Sequence, residues 1–390
     1  MAEQTIDPRE LPYQRYGIPR LGFRNYWYPA MRVRDLGARP KAVRLLGEEI
    51  VVFRDQGRIF ALQDRCPHRG VRLSPGACQF PGSGTLSCPY HGWTFDGGDG
   101  RLVAALMEGP QSSLVQKGSV SVKAFPVEQR LGLIFIYVGD MEAPPIDDEL
   151  PPFMADASKF FSLTAIEDYG VNWRYLVDNW PHDHHGPYLH RNSPELAFQP
   201  MLPFGQTVET EEIEGDKGLR VRAVGGMREG DYPGLGRFPR DGWRRRLGPT
   251  GRGATDDYTS SKAYRVYGIR AQFEMRLPSI VVVGRQSGEY CLVQWAVPID
   301  EDRTRLFNIN NFRRMGALRE AWDRFNYAVW RGWAHDRIFS GQDKVVVEQM
   351  VPGPERLSRT DVGVTAWRRY AGSHARRPPE IAPLRQVNAQ

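Results

Sequence analysis

Two short arms of this chain carry matched sets of metal-binding side chains. Cys66-Pro67-His68 is followed after 19 residues by Cys88-Pro89-Tyr90-His91-Gly92-Trp93, so each arm offers one thiol and one imidazole. Four such groups suit a tetrahedral zinc ion. They equally suit a binuclear iron–sulfur cluster with both cysteines on one iron and both histidines on the other. Two imidazoles in place of two thiolates lower the negative charge on such a cluster and raise its potential, and the centre passes one electron at a time. The pairing of C-x-H with C-x-x-H, the flanking prolines and glycines and the surrounding β-like runs fit the cluster better than a zinc finger. Cys78, between the arms, has no histidine at matching spacing and reads with Cys291 as a small packed residue.

A second constellation holds His182, His184, His185 and His190, half of the 8 histidines of the chain within nine residues. Iron(II) that activates dioxygen typically takes two histidines and one carboxylate on one face and leaves the opposite face open. His185 and His190 are five apart, a spacing that a continuous helix splays. Gly186 and Pro187 supply a kink that brings both onto one ion. On spacing alone His182 or His184 is an alternative ligand, and the carboxylate comes from elsewhere in the chain.

The elements that must position these groups fall into two sets. Between residues 25 and 138 the runs AVRLLG, EEIVVFRDQG, RIFALQD, GTLSCPYHGWTFD, SVKAFPVEQ and LGLIFIYVG, separated by turn signals, predict a small antiparallel β-domain. The Pro-rich acidic stretch 139–153 has no apolar period and is expected to be a linker, dividing the chain into 1–150 and 151–390. Beyond it, SLTAIEDYG is strand-like. NWRYLVDNWPHDHHGPYLH places Trp173, Leu176, Val177 and Trp180 on one helical face, and Pro181 is expected to end or kink that helix. Residues 227–261, dense in Gly, Pro and Arg, read as a long loop or mobile lid. Strands resume at AYRVYGIRAQFEMRLPSIVVVG and EYCLVQWAVPID, and one long helix is expected from about Ala317 through Gln349. The fold class is therefore α+β, an N-terminal antiparallel β-domain followed by an antiparallel sheet with helices.

Composition excludes several classes. With 41% hydrophobic and 25% charged residues the chain is ordinary globular protein, neither disordered nor coiled coil. Four cysteines, unevenly spread, exclude a secreted disulfide framework. The net charge of +6 is spread along the chain without a basic tract, which argues against nucleic acid as a partner. No apolar run is long enough to span a bilayer. The acidic, Pro-broken start lacks the features of a signal peptide, so a cytoplasmic protein is expected.

CPHRG, CPYHGWTF and the opening NYWYPA resemble the Rieske domain of the ring-hydroxylating oxygenases. NWRYLVDNWPHDHHGPYLH resembles the catalytic-domain signature of the same family, in which Asn-Trp opens a helix, an acidic residue and Asn follow (here Asp178 and Asn179), and two histidines come five apart. The resemblance covers about Tyr26 to about Gln349, and its motif order is most similar to the phthalate, phenoxybenzoate and vanillate demethylase type. It implies an N-terminal Rieske domain and a helix-grip-like catalytic domain. It also implies a [2Fe-2S] cluster on Cys66, His68, Cys88 and His91, and a mononuclear iron on His185, His190 and Asp343 of FSGQDKVVVEQ. Glu348 is the alternative carboxylate. Electrons would come from a separate NAD(P)H-dependent reductase, with or without a ferredoxin, and O2 would be activated beside a bound aromatic substrate. A head-to-tail homotrimer is implied, in which an Asp three residues before the first ligand His bridges to the next subunit's cluster. This chain has His182 there, with Asp183 beside it, so one or the other would carry the bridge. Arg65, Arg69 and Arg72 offer a face for an acidic electron donor, and Arg276 or Arg285 offers a partner for a substrate carboxylate. Two competing readings are a Rieske electron-transfer or iron protein without oxygenase turnover, motivated by the missing bridging Asp, and an oxygenase acting on a non-aromatic substrate.

Overall fold

The alternation of apolar and polar residues in the first third of the chain is realised as strands joined by tight turns. The computed structural model describes residues 10–181, 185, 189–190, 193–194, 207–213, 218–224, 230–238, 272–284, 289–351 and 353–377. Its first strands are β1 (Tyr26–Arg32), β2 (Lys41–Leu45), β3 (Glu48–Asp55) and β4 (Arg58–Gln63). They are followed by β5 (Thr85–Ser87), β6 (Trp93–Asp96), β7 (Leu102–Ala105), β8 (Ala124–Phe125), β9 (Val127–Arg130) and β10 (Leu133–Val138). These ten strands make three antiparallel sheets, β1-β10-β9, β2-β3-β4-β8 and β5-β6-β7. Leu46-Gly47, Gln56-Gly57 and Leu131-Gly132 all have positive φ at both residues, the backbone that two-residue hairpin turns need to match strand twist.

The stretch expected to be a linker is instead packed. It contains two short helices, Ile146–Glu149 and Pro152–Ala155, and buries Ile146, Leu150, Phe153 and Met154 in the main core. Its apolar residues follow no period because they pack on more than one element: the Ile146–Glu149 helix lies against β1, where Glu149 accepts from the Trp27 backbone N–H at 3.0 Å, and Phe153 meets Phe160 at 6.0 Å between ring centroids.

The second half is built on β11 (Phe160–Tyr169), β12 (Thr207–Ile213), β13 (Gly218–Val224), β16 (Gln272–Arg276), β17 (Ile280–Gly284), β18 (Tyr290–Pro298) and β19 (Thr304–Arg313), with the hairpin β14 (Gly230–Tyr232) and β15 (Gly236–Phe238) standing apart. The large sheet is seven-stranded and antiparallel in the order β11-β19-β18-β17-β16-β13-β12. Strands β12, β13 and β19 have no counterpart in the sequence reading. In β19 the buried Asn308, Asn310 and Asn311 conceal the apolar alternation. The segment read as a loop or lid over 227–261 contains the β14-β15 hairpin, and the rest of it lies outside the described residues.

The predicted long helix is present but not uniform. An α-helix over Ala317–Asn326 runs into a π-helical stretch over Tyr327–Phe339 and returns to α-helix over Ser340–Val347. It lies on the large sheet through polar contacts: Asn308 Nδ2 donates to Ser340 Oγ at 3.4 Å, and Asn310 Nδ2 to the Asp336 carboxylate at 3.2 Å. The two halves share one core. Every residue of β10 is buried, and the Phe135 ring meets Trp295 of β18 at 5.7 Å between centroids. No helix among the described residues is long and apolar enough to cross a membrane.

Candidate active site

The two Cys-His arms fold as near copies of one another. The first follows β4 and the second is the turn between β5 and β6. In the first, Gly70 N–H donates to the Cys66 carbonyl at 2.8 Å and Cys66 N–H to the Val71 carbonyl at 2.8 Å. In the second, Gly92 N–H donates to the Cys88 carbonyl at 3.2 Å and Cys88 N–H to the Trp93 carbonyl at 2.8 Å. Gly70 and Gly92 both sit at left-handed backbone, φ 71° and 67°, where a side chain is strained. The shared loop buries both thiols and leaves His68 exposed and His91 half-buried at the rim, with imidazole centroids 4.7 Å apart. Trp93 stacks on His68 at 4.7 Å with an interplanar angle of 7°. Burial, and next to it the neighbouring Cys88 thiol, push the Cys66 thiol up to about 11. Two adjacent buried thiols deprotonate together only when a cation compensates them, so this pocket suits a metal cluster. Burial, then His68 and Arg69, lower His91 below its ordinary value, which favours the neutral ligand form.

The second site joins segments far apart in sequence. Asn172 caps the Trp173–Asp178 helix, accepting from Arg174 N–H at 3.1 Å, and the helix buries Trp173, Leu176 and Val177 as its spacing predicts. Past the end of that helix, His185 and His190 meet Asp343 from the Ser340–Val347 helix. Asp343 Oδ1 lies 3.4 Å from His185 Nε2 and 3.3 Å from His190 Nε2, and one donor atom from each of the three residues lies within 4.8 Å of the others. His190 is fully buried, stacks on Phe339 at 3.7 Å and places Nδ1 3.0 Å from Gln342 Oε1. With Gln342 accepting, Nδ1 carries the proton and the Nε2 lone pair faces a carboxylate oxygen, an arrangement that a cation between them stabilises. Burial works to raise the Asp343 carboxyl; with the imidazoles protonated in place of a cation, the two histidines outweigh it and hold the carboxyl well below the usual carboxylate range. Asn179 Nδ2 donates to the same Oδ1 at 3.1 Å.

The other sequence candidates separate from this centre. Glu348, the alternative carboxylate, is exposed and accepts from the Gly170 backbone N–H at 2.6 Å; five residues beyond Asp343, it lies on a different helical face. Asp178 points away into a buried cluster with Tyr13 and Arg368. His182, Asp183 and His184 lie outside the described residues, as does Arg285. Arg276 is buried in an ion pair with Glu274, two residues earlier on the same face of β16, and so is not free for a substrate carboxylate. On the cluster rim Arg65 and Arg72 both pair with Glu49, at 2.7 and 2.8 Å, and Arg69 is the one of the three without an ion pair among the described residues. The sequence reading missed Gln342, although it is adjacent to Asp343. It also missed Tyr13 and Arg368, which no local signal marks.

Residues 26–125 match the family described as Rieske [2Fe-2S] domain, and residues 137–377 match the family described as homotrimeric ring hydroxylase. The terminal oxygenase component of carbazole 1,9a-dioxygenase from Sphingomonas sp is 32% identical over 395 residues, covering 96% of this chain and 98% of the relative. The chain belongs to the Rieske ring-hydroxylating oxygenases. Its fold agrees: the terminal oxygenase of carbazole 1,9a-dioxygenase from a Novosphingobium species superposes with a TM-score of 0.77 at 26% identity, covering 94% of this chain and 97% of that one. A reduced complex between oxygenase and ferredoxin in carbazole 1,9a-dioxygenase matches at 0.77 and 25% identity, over 96% of both chains. This Rieske oxygenase is thus a non-heme iron mono- or dioxygenase with two cofactors, a [2Fe-2S] cluster and a mononuclear iron.

Proposed function

We propose that the chain is the terminal oxygenase of a multicomponent system that hydroxylates, dihydroxylates or demethylates an aromatic substrate. Electrons would come from a separate NAD(P)H-dependent reductase by way of a ferredoxin. Cys66 and Cys88 hold one iron of the cluster and His68 and His91 the other, in a Rieske domain of about residues 1–150. His185, His190 and Asp343 hold the mononuclear iron in a catalytic domain over 151–390. The observation that carries this reading is the convergence of His185, His190 and Asp343, two histidines and one carboxylate from segments some 150 residues apart. When bound, the cluster supplies electrons singly and the mononuclear iron activates O2. The chain's own part is to hold donors and exclude water. Gln342 fixes the His190 tautomer, Phe339 covers its ring, and Asn179 orients the Asp343 carboxylate. The bridge to a neighbouring subunit is assigned to His182 or Asp183.

The substrate we favour is an uncharged planar aromatic. Arg276, one of the two cations that the sequence offered to a substrate carboxylate, is neutralised by Glu274, the other, Arg285, lies outside the described residues, and the relative matched over nearly its full length is named for carbazole. A ferredoxin donor is supported by the solved oxygenase–ferredoxin complex of similar fold. Homotrimer formation is supported by an exposed aromatic stripe, Trp322, Phe325, Trp330 and Trp333, on the long helix inside the region matched to the homotrimeric family. Monomers seldom leave such a patch in water, and we assign it to a second copy of this chain.

The test is single-turnover chemistry. The protein with reduced cluster is mixed with labelled O2 and either fused-ring aromatics such as carbazole and fluorene or a set of aromatic acids, and product is read by mass spectrometry. Labelled oxygen in a fused-ring product supports the reading. Normal cluster oxidation with no oxygenated product from either set would refute oxygenase function, and product from the acids alone would overturn the substrate class.

A further inference from the structure

A buried ionic cluster outside both metal sites ties the two ends of the chain to the iron carboxylate. Arg368, 2% exposed, projects from the Val362–His374 helix. Its Nε and Nη2 donate to Asp178 Oδ2 at 3.1 and 2.5 Å, and its Nη1 and Nη2 donate to the Glu355 carboxylate at 2.6 and 2.7 Å. The Tyr13 hydroxyl donates to the same Asp178 Oδ2 at 2.7 Å. Two guanidiniums lie over the Tyr13 ring, Arg174 at 4.4 Å and Arg368 at 4.6 Å from its centroid, and Arg174 is held in turn by two hydrogen bonds to Glu10.

Buried ion pairs add little net stability over well-packed apolar groups, and their best-attested use is to specify one geometry. Here the geometry at stake is the end of a helix. Asp178 is the last residue of the Trp173–Asp178 helix, and the next side chain, Asn179, donates to Asp343 Oδ1, the oxygen that faces both His185 and His190. Three donors on one oxygen of Asp178 leave that helix end little freedom, so the Asn179 amide is presented at a fixed place.

We propose that Tyr13 and Arg368 are positioning residues for the mononuclear site: by pinning Asp178 they fix Asn179, and through it the Asp343 oxygen offered to the metal. Neither touches the metal-facing atoms. The proposal rests on the reading that His185, His190 and Asp343 bind the iron. Partners bonded directly to metal ligands, as Asn179 is to Asp343, typically change metal affinity by 10- to 100-fold, and residues acting only through Asn179 are expected at the low end of that range.

The experiment is an Fe(II) titration of protein whose [2Fe-2S] cluster is intact and whose mononuclear iron has been removed. Tyr13→Phe deletes one hydrogen bond and keeps the ring against both guanidiniums, and Arg368→Lys keeps the charge but loses the fork. Both are expected to bind Fe(II) about tenfold more weakly, with an altered electron paramagnetic resonance signal of the nitric oxide adduct and an unchanged cluster absorbance. In an Asn179→Ala background the same substitutions should cost nothing further, because their effect runs through that side chain. Wild-type affinity in both variants, or a loss that adds in full to that of Asn179→Ala, would overturn the proposal. Asp343→Asn is titrated alongside. Loss of iron there with normal binding in Tyr13→Phe sinks the anchor alone, whereas retained iron in Asp343→Asn sinks the ligand assignment beneath it.

Discussion

At the scale of residues, the metal-facing side chains differ from their neighbours by what surrounds them more than by type. Asp343 and Glu348 are both carboxylates near the end of one helix, yet Asp343 is mostly buried beneath two imidazoles and Glu348 is exposed on a backbone amide. A buried carboxylate and a buried imidazole lone pair that face each other are tolerable chiefly as ligands. We expect His190→Ala to lower iron content from about three to about two atoms per chain with the visible spectrum of the cluster retained. Glu348→Gln should keep all of it. Metal analysis of the two purified variants decides, and a loss of iron in Glu348→Gln would reverse the assignment of the third ligand. The family resemblance of FSGQDKVVVEQ put Asp343 ahead of Glu348, but residue spacing alone could not show that Asp343 faces His190.

At the scale of elements, the cluster arms depend on backbone that only glycine adopts comfortably. Gly92 has φ 67°, and a Cβ there would stand 2.9 Å from the Leu106 Cβ, a contact that something must move to relieve. A left-handed residue with a side chain costs about 1–2 kcal/mol before any clash is counted. Gly92→Ala should therefore lower the thermal stability of the first domain and leave purified protein deficient in cluster, read as a reduced ratio of visible to ultraviolet absorbance. Full cluster occupancy in that variant would show that the second arm tolerates a relaxed turn. This element was legible in advance because C-P-x-x-G-x recurs in both arms as a local pattern. The β19 strand was not, because its buried asparagines are satisfied by partners on other elements, among them Gln294, Ser340 and Asp336.

At the scale of the whole molecule, the exposed stripe on the long helix bears on assembly. Trp322 and Phe325 are 59% and 57% exposed and Trp330 and Trp333 47% and 45%, too much aromatic surface on one helix for water to be its natural neighbour. Replacing Trp322 and Trp330 together by Ser should convert the trimer to smaller species in sedimentation analysis with the cluster spectrum unchanged. A persistent trimer would place the subunit seam on another face. The sequence by itself offered the two sets of candidate metal-binding side chains, most strands of the first domain and the amphipathic helix before the histidines, because each is written in residue types at short, regular spacing. Tertiary structure decided which carboxylate meets His185 and His190, that Arg276 is spent on Glu274, and that Tyr13, Asp178 and Arg368 converge from positions up to 355 residues apart. Those contacts arise where sheets and helices fold onto one another, and a pairing made by packing leaves no period in the chain to read.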